Sequence, residues 1–222
     1  MRRVLCIGDS LGLPRPGVEY SQTWLSMLRT QRPDIDFVGL FRRSGTTGML
    51  SMWDYGEYLY FYRPSRIILQ LGICDCSPRY MRTSSLCYRV LEHLPGPIQT
   101  VFWSVYKRLV KRSADRTDVS PDKFRLNVRR YLEECYKAGV ENVAIIKIAM
   151  PGPTMLQSSP QAGQSVQRYN AIYEDLSREY PFVTLVDPLD CGEDRYYVDG
   201  YHPNETGNRK VAEILLRSYL CE

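Results

Sequence analysis

The sequence contains no long apolar run, and this absence limits where the protein can reside. No stretch of about 18 consecutive apolar residues occurs, so a membrane-spanning helix is not expected. The apolar stretch that follows Arg2 and Arg3 is only four residues long, whereas the core of a signal peptide has roughly 7–15 residues. We therefore expect this stretch to belong to the fold and the protein to be cytoplasmic.

Patterns for binding metal are also missing. The chain has seven cysteines and only two histidines, His93 and His202. Cys74 and Cys76 form one close pair, but no second pair completes a zinc site. We expect reduced cysteines, as in most cytosolic proteins, and neither a metal ion nor another cofactor.

Composition and charge narrow the class of protein further. The 222 residues are 44% hydrophobic and 24% charged, which is typical of a folded chain rather than a disordered one. The net charge of +4 is far from the strongly basic signature of nucleic-acid-binding domains, so no nucleic-acid partner is expected. We predict a single domain over residues 1–222, with an insertion around 73–120.

Short apolar segments alternate with amphipathic segments along the chain. The clearest amphipathic segment begins at Pro121 after the N-cap residue Ser120 and ends at Gly139. This alternation favours an α/β fold whose parallel sheet is covered by helices on both faces. The predicted strands are Val4–Ile7, Ile35–Phe41, Arg66–Leu71, Val143–Met150 and Phe182–Val186.

A serine follows the first predicted strand, and an aspartate and a histidine follow the fifth. Ser10 lies in a Gly-Asp-Ser stretch that is equally compatible with an ordinary turn. In a parallel sheet, however, ligands bind beyond the carboxyl ends of the strands, so Ser10, Asp199 and His202 are expected to converge. Asp199 can accept the ring N–H of His202 while the other ring nitrogen faces Ser10. His93 has only the neighbouring Glu92 as an acid and is expected either at the surface or packed within the fold.

Four ordered motifs resemble the blocks of the SGNH/GDSL hydrolases over nearly the whole chain. They are "IGDSL" (Ile7–Leu11), Gly45 in "RRSGTTG", "LGICD" (Leu71–Asp75) and "DGYH" (Asp199–His202). The resemblance implies a flavodoxin-like three-layer α/β/α sandwich with a five-stranded parallel sheet. It also implies a serine esterase with Ser10 as nucleophile, His202 as base and Asp199 as its orienting partner. The backbone N–H groups of Ser10 and Gly45 would then face the developing oxyanion.

One position departs from the family pattern. Cys74 occupies the place of the family's asparagine, whose side-chain amide donates to the oxyanion, and a thiol is a weaker donor. Losing such a donor lowers the rate about 100- to 1,000-fold. Three interpretations stay open: a slow enzyme, a substitute donor such as Arg79, or a site adapted to another acyl group. A less favoured alternative makes Cys74 itself the nucleophile, which requires a lowered thiol pKa.

The substrate is predicted more coarsely. We expect Asp9 and Asp75, which lie within two of the motifs, and the nearby Arg79 to contact a small-molecule or glycan ester, with acetyl as the acyl group. The resemblance to members associated with bacterial surface-polysaccharide synthesis favours a carbohydrate. An O-acyltransferase that uses the same triad and a non-catalytic glycan-binding relative are the alternatives. The aromatic segment Trp53–Pro64 is expected to pack mostly on the sheet, although its rings are also suited to stacking on sugars.

A basic amphipathic helix is predicted at Val101–Arg112. Apolar residues such as Val105 alternate with the basic Lys107, Lys111 and Arg112. Such a helix can lie on an anionic membrane surface, although a solvated basic face above an ordinary apolar one is more common. Membrane contact is therefore a weaker expectation, and the pattern does not predict an oligomeric state.

Overall fold

A five-stranded parallel sheet forms the centre of the fold. The computed structural model describes residues 2–82 and 85–220, and for residues 52–54 it describes the backbone only. In these residues the strand order is β2-β1-β3-β4-β5, the order of flavodoxin-like sheets. The prediction of an α/β fold with a five-stranded parallel sheet is confirmed. The strands are β1 (Arg2–Gly8), β2 (Ile35–Phe41), β3 (Arg66–Gln70), β4 (Asn142–Ile146) and β5 (Val183–Val186).

Helices cover both faces of this sheet, as buried parallel strands require. They are α1 (Trp24–Gln31), α2 (Ile73–Cys76), α3 (Leu86–Glu92), α4 (Gly96–Leu109), α5 (Pro121–Lys137), α6 (Pro153–Ser158), α7 (Ala162–Glu179) and α8 (Glu205–Ser218). Leu5 and Ile7 of β1 pack towards α5 and α7, whereas Val4 and Cys6 pack towards α1 and α8. Within the described part of the chain, no helix is long and apolar enough to cross a membrane.

The fourth strand is shorter than the sequence predicts. It ends at Ile146 rather than Met150, because Ile148 pairs with a side chain instead of a strand. The backbone N–H and carbonyl of Ile148 each bond to the amide of Asn170 on α7, at 2.9 Å. The strand ladder therefore does not extend through Ile148.

The aromatic segment after β2 also differs from the prediction. It forms a 3-10 helix at Thr47–Tyr55 and one π-helical turn at Gly56–Tyr60. Tyr55, Tyr58 and Tyr62 pack against the core beside the sheet, so the expectation is confirmed for these rings. It is wrong for Tyr60 and Phe61, which are 40% and 75% exposed. The hydroxyl of Tyr60 instead donates to Glu134 on α5 at 2.5 Å. The side chain of Trp53, named in the same prediction, lies outside the described residues.

Candidate active site

Ser10 lies in a tight turn at the carboxyl end of β1. The carboxylate of Asp9 accepts the Leu11 N–H at 2.9 Å and caps the 3-10 helix Ser10–Gly12. The Asp9 N–H donates to the carbonyl of Gln70 at 3.2 Å, which ties the turn to β3. The stretch is therefore a turn, and this turn brings the Ser10 hydroxyl to the edge of the sheet.

His202 and Asp199 reach the same edge from the loop between β5 and α8. The Nε2 atom of His202 lies 3.1 Å from Ser10 Oγ, although the two residues are 192 positions apart in the sequence. Asp199 holds the histidine twice, through Oδ2 to ring Nδ1 at 2.7 Å and through Oδ1 to the backbone N–H at 3.0 Å. Gly200, between them, has a φ of +86°, which a residue with a Cβ adopts only with strain. The geometry is that of a serine–histidine–aspartate triad.

The surroundings of His202 favour its neutral form. Burial lowers the pKa of the imidazole, and the positive charges of Arg15 and Arg43 lower it further, against the opposing effect of Asp199. Burial alone would raise the pKa of Asp199, but its hydrogen bonds from His202 outweigh this effect and the pKa falls. A neutral imidazole beside an ionised carboxylate is the state in which histidine accepts a proton.

A cavity of about 490 Å³ opens above the Ser10 hydroxyl. Three of the side chains that line it, Arg15, Arg43 and Tyr201, are not predicted from the sequence. The ring of Tyr201 lies 4.0 Å from that of His202, centroid to centroid. The signal for Arg15 was its place between two prolines in "LPRPG", which restrict the backbone on both sides. The cavity is lined by Ser10, Leu13, Pro14, Arg15, Pro16, Arg43, Ser44, Ile73, Cys74, Ser77, Arg79, Val198, Asp199, Tyr201 and His202.

The predicted oxyanion donor Gly45 is engaged elsewhere. Its N–H donates to the carbonyl of Arg42 at 3.0 Å, inside a turn whose third residue, Ser44, has a φ of +56°. The expectation that the Gly45 N–H faces the oxyanion is wrong, because the turn already uses this donor. The Ser10 N–H has no hydrogen-bond partner within the described residues.

Cys74 lines the cavity, at the position the sequence predicts. Burial raises the pKa of its thiol to about 12, and the carboxylates of Asp9 and Asp75 add to the shift. A thiol with such a pKa is not ionised near neutral pH, and the base His202 faces Ser10 Oγ through Nε2, so the site favours Ser10 over Cys74 as the nucleophile. In its neutral form the thiol is a weak donor towards the cavity.

Asp9 and Asp75 do not contact the cavity. Both are fully buried, and burial raises the pKa of Asp9 to about 7 and that of Asp75 to about 6. Asp75 accepts the Thr47 N–H at 2.9 Å and the Thr47 hydroxyl at 2.6 Å, joining the loops after β2 and β3. The prediction that these two residues bind substrate is therefore wrong, because their carboxylates brace the loops beneath the cavity.

Arg79 does line the cavity. Its Nε and Nη2 atoms bond to Oδ2 of Asp118 at 2.8 and 2.6 Å, so an acid outside the cavity lining fixes the guanidinium. The predicted contact between Arg79 and the substrate stays a prediction.

The other histidine, His93, is exposed on the connection between α3 and α4.

The loop after β4 contacts the loop between β5 and α8, which carries Asp199 and His202, and does not line the cavity. The N–H of Gly152 donates to the carbonyl of Gly200 at 2.7 Å, between Asp199 and His202. No residue of 151–165 lines the cavity. Across the described ranges 2–82 and 85–220, no three histidine, cysteine or acidic side chains are close enough to share a metal ion.

Comparison with solved structures shows the same fold over nearly the full chain. The acetyl xylan esterase AlAXEase has a TM-score of 0.68 at 16% identity, with 98% of this chain and 99% of that chain covered. A catalytic mutant of Axe2, an acetylxylan esterase from Geobacillus stearothermophilus, has a TM-score of 0.65 at 16% identity, covering 97% and 93%. A member of the lipolytic protein G-D-S-L family from Veillonella parvula has a TM-score of 0.61 at 14% identity, covering 99% and 99%.

Sequence comparison adds nothing to this structural likeness. No protein-family model matches the chain, and no curated protein matches it in sequence. At 14–16% identity, the neighbours show the three-layer fold alone.

Proposed function

We propose that the chain is a serine esterase of the SGNH type that forms an acyl-enzyme on Ser10. The observation that carries this proposal is the relay from Ser10 Oγ to His202 Nε2 at 3.1 Å and from His202 Nδ1 to Asp199 at 2.7 Å. The relay opens onto a cavity large enough for a small ester. Solved structures with the same fold are described as esterases, which supports the same reaction class.

The proposed reaction has two steps. The Ser10 oxygen attacks the ester carbonyl carbon while His202 Nε2 takes the hydroxyl proton, and Asp199 stabilises the imidazolium that forms. The tetrahedral intermediate collapses with cleavage of the bond to the alcohol, which leaves with the proton from His202. Water then attacks the acyl-enzyme with His202 as base, and the carboxylic acid and free Ser10 are released.

The acyl group that we propose is acetyl, on a hydroxyl of a carbohydrate. Two of the structural neighbours are described as acetyl xylan esterases, and the ring of Tyr201 in the cavity offers an apolar face suited to a sugar ring. The biological process that we propose for this activity is the synthesis of a surface polysaccharide, in which the enzyme would remove acetyl groups. The same triad also suits an O-acyltransferase, in which a sugar hydroxyl replaces water in the second step.

The experiment that tests the proposal is an assay of short-chain aryl esters and acetylated sugars with the natural chain and with Ser10→Ala. Product analysis with and without a sugar acceptor separates hydrolysis from transfer, since transfer yields a new sugar ester. His202→Ala is assayed in the same way. His93→Ala, at an exposed histidine, is its matched control. Equal turnover by the natural chain and Ser10→Ala would contradict the proposal.

Cys74→Asn is expected to raise the esterase rate about 10-fold or more. The amide N–H of asparagine is a stronger donor than a thiol, and one oxyanion donor is worth about 100- to 1,000-fold when its geometry is right. The measurement is kcat for an aryl acetate, with Cys74→Ala as the matched variant that adds no donor. A fall in kcat for Cys74→Asn would show that the thiol has a role of its own.

A further inference from the structure

The cavity beside Ser10 contains more positive than negative charge. Three arginines line it, Arg15, Arg43 and Arg79, whereas Asp199 is the one carboxylate among the described lining residues. Asp199 is already bonded to His202, and Arg79 is paired with Asp118. The charges of Arg15 and Arg43 are therefore left without a dedicated acid.

Arg15 is held in place without an ion pair. Its Nη2 group donates to the carbonyl of Ser10, which fixes the guanidinium next to the proposed nucleophile. Among the described residues it makes no salt bridge, and neither does the exposed Arg43. A guanidinium has five N–H donors, so most of those on Arg15 stay available to a ligand.

Arg15 and Arg43 are close enough to affect each other and the triad. The charge of Arg43 lowers the pKa of Arg15, as burial of Arg15 also does, and both charges lower the pKa of His202. Two like charges around one small cavity repel each other, and an anion bound between them removes this cost.

We propose that this arginine pair (Arg15 and Arg43) binds a carboxylate or phosphate group carried by the ester that Ser10 cleaves. Guanidinium groups bind both anions through paired, charge-assisted hydrogen bonds. The substrate class is then an acylated acidic compound, such as an acetylated sugar acid or sugar phosphate, rather than a neutral ester. This inference rests on the proposed esterase function.

The test compares three aryl acetates that differ in one ring substituent: hydrogen, carboxylate or phosphate. For each ester, the ratio of kcat/KM between Arg43→Ala and the natural chain cancels the intrinsic reactivity. We expect this ratio to fall about 10-fold further for an anionic ester than for the neutral one, and Arg43→Lys to recover part of the loss. The larger loss identifies whether carboxylate or phosphate is the preferred anion.

Arg42→Ala is the matched control, because Arg42 is the exposed neighbouring arginine and does not line the cavity. It should leave the three values of kcat/KM within about 2-fold. If Arg43→Ala lowers kcat/KM equally for all three esters, the anion site is wrong while the esterase function stands.

A binding measurement separates the two proposals when no ester is cleaved. Inorganic phosphate should raise the Tm of the natural chain, and Arg43→Ala should abolish this rise. If phosphate protects in an Arg43-dependent way but no ester is turned over, the esterase function fails and the anion site stands. If phosphate has no Arg43-dependent effect on Tm, the anion site is overturned.

A second, independent observation concerns the outer surface of α3 and α4. Trp103 of α4 lies 6.0 Å from Tyr88 of α3, and within α4 the rings of Phe102 and Tyr106 stack at 5.3 Å. The aliphatic side chains of these helices are largely turned to solvent. Large apolar side chains at least half exposed on these two helices, together called the aliphatic stripe, are Leu86, Val90, Ile98, Val101, Val105 and Leu109.

The net positive charge of the chain is concentrated in the same segment. Residues 85–112 contain five basic residues and one acid, Glu92, so this segment accounts for the whole net charge of +4. Arg108 and Lys111 are exposed near the end of the aliphatic stripe, whereas Lys107 lies over the rings of Tyr80 and Trp103. An aliphatic stripe bordered by exposed cations is complementary to an anionic lipid surface.

We infer that the outer face of α3 and α4 binds the surface of an anionic membrane. The aliphatic stripe would enter the boundary between headgroups and acyl chains, while Arg108 and Lys111 contact lipid phosphates. A second copy of the chain is a poorer partner, because a symmetric interface would bring two segments of net positive charge together.

Sedimentation with vesicles of phosphatidylcholine alone and with added phosphatidylglycerol tests this surface. We expect binding to the anionic vesicles, weakened about 10-fold or more by Arg108→Glu with Lys111→Glu and by Val101→Asp with Val105→Asp. Leu126→Asp, at an exposed position on α5, is the matched control and should bind normally. These changes are at exposed positions, and an unchanged Tm verifies the fold.

Two results would overturn the membrane inference. One is absence of binding to anionic vesicles, or binding that none of the substitutions weakens. The other is a dimer, measured by analytical ultracentrifugation, that Val101→Asp with Val105→Asp dissociates, because the stripe would then be a subunit interface.

Discussion

Ser10→Ala is expected to lower kcat/KM for an aryl acetate about 10⁴-fold or more. The substitution removes the oxygen that would carry the acyl group. The neighbouring Cys74 thiol does not replace it, because burial raises the pKa of this thiol to about 12. Ser10 is only partly buried, so loss of its hydroxyl should leave the fold and the Tm nearly unchanged.

Covalent labelling gives a second readout of the same change. A fluorophosphonate probe should add to the natural chain at Ser10, as located by mass spectrometry, and should fail to label Ser10→Ala. Ser158→Ala, at an exposed position on α6, is the control and should be labelled normally. If the folded natural chain stays unlabelled and turns over no ester, the fold serves a non-catalytic role and the proposed function is wrong.

Asp199→Asn is expected to lower kcat/KM about 10³- to 10⁴-fold while leaving the fold intact. The carboxylate accepts from ring Nδ1 and from the backbone N–H of His202. An amide can hold the histidine in the wrong tautomer and cannot stabilise the imidazolium by charge. Asp190→Asn, at an exposed acid after β5, is the control and should retain activity.

The pH profile follows from the charges around His202. Protonated His202 cannot accept the serine proton, so activity should rise with pH as the ring loses its proton. Burial and the charges of Arg15 and Arg43 lower the pKa of the ring, so the midpoint should lie below the ordinary value of about 6.5. Arg43→Ala should move the midpoint up, and Asp199→Asn should move it down. A midpoint above about 6.5 in the natural chain would contradict this account of the site.

The strands and the strongest helix were predictable because their signals are local. The apolar run Ile35–Phe41 coincides with β2, and the side chain of Ser120 accepts the Lys123 N–H at the start of α5, as its sequence indicates. The end of β4 was missed because it depends on Asn170, which is distant in the sequence. The role of Gly45 was predicted wrongly because its N–H donates to the carbonyl of Arg42 within a turn, and this bond is not visible in the sequence pattern.

By itself, the sequence determined the five-stranded α/β fold and the candidate residues Ser10, Asp199 and His202, because apolar periodicity and ordered motifs are properties of the chain. The contacts that each polar side chain can make are determined only by the tertiary structure. Asp9 is buried beneath the cavity, whereas Arg15 and Arg43 line it. Burial and charge proximity depend on which segments pack together, and segments far apart in the sequence meet only when the sheet has formed.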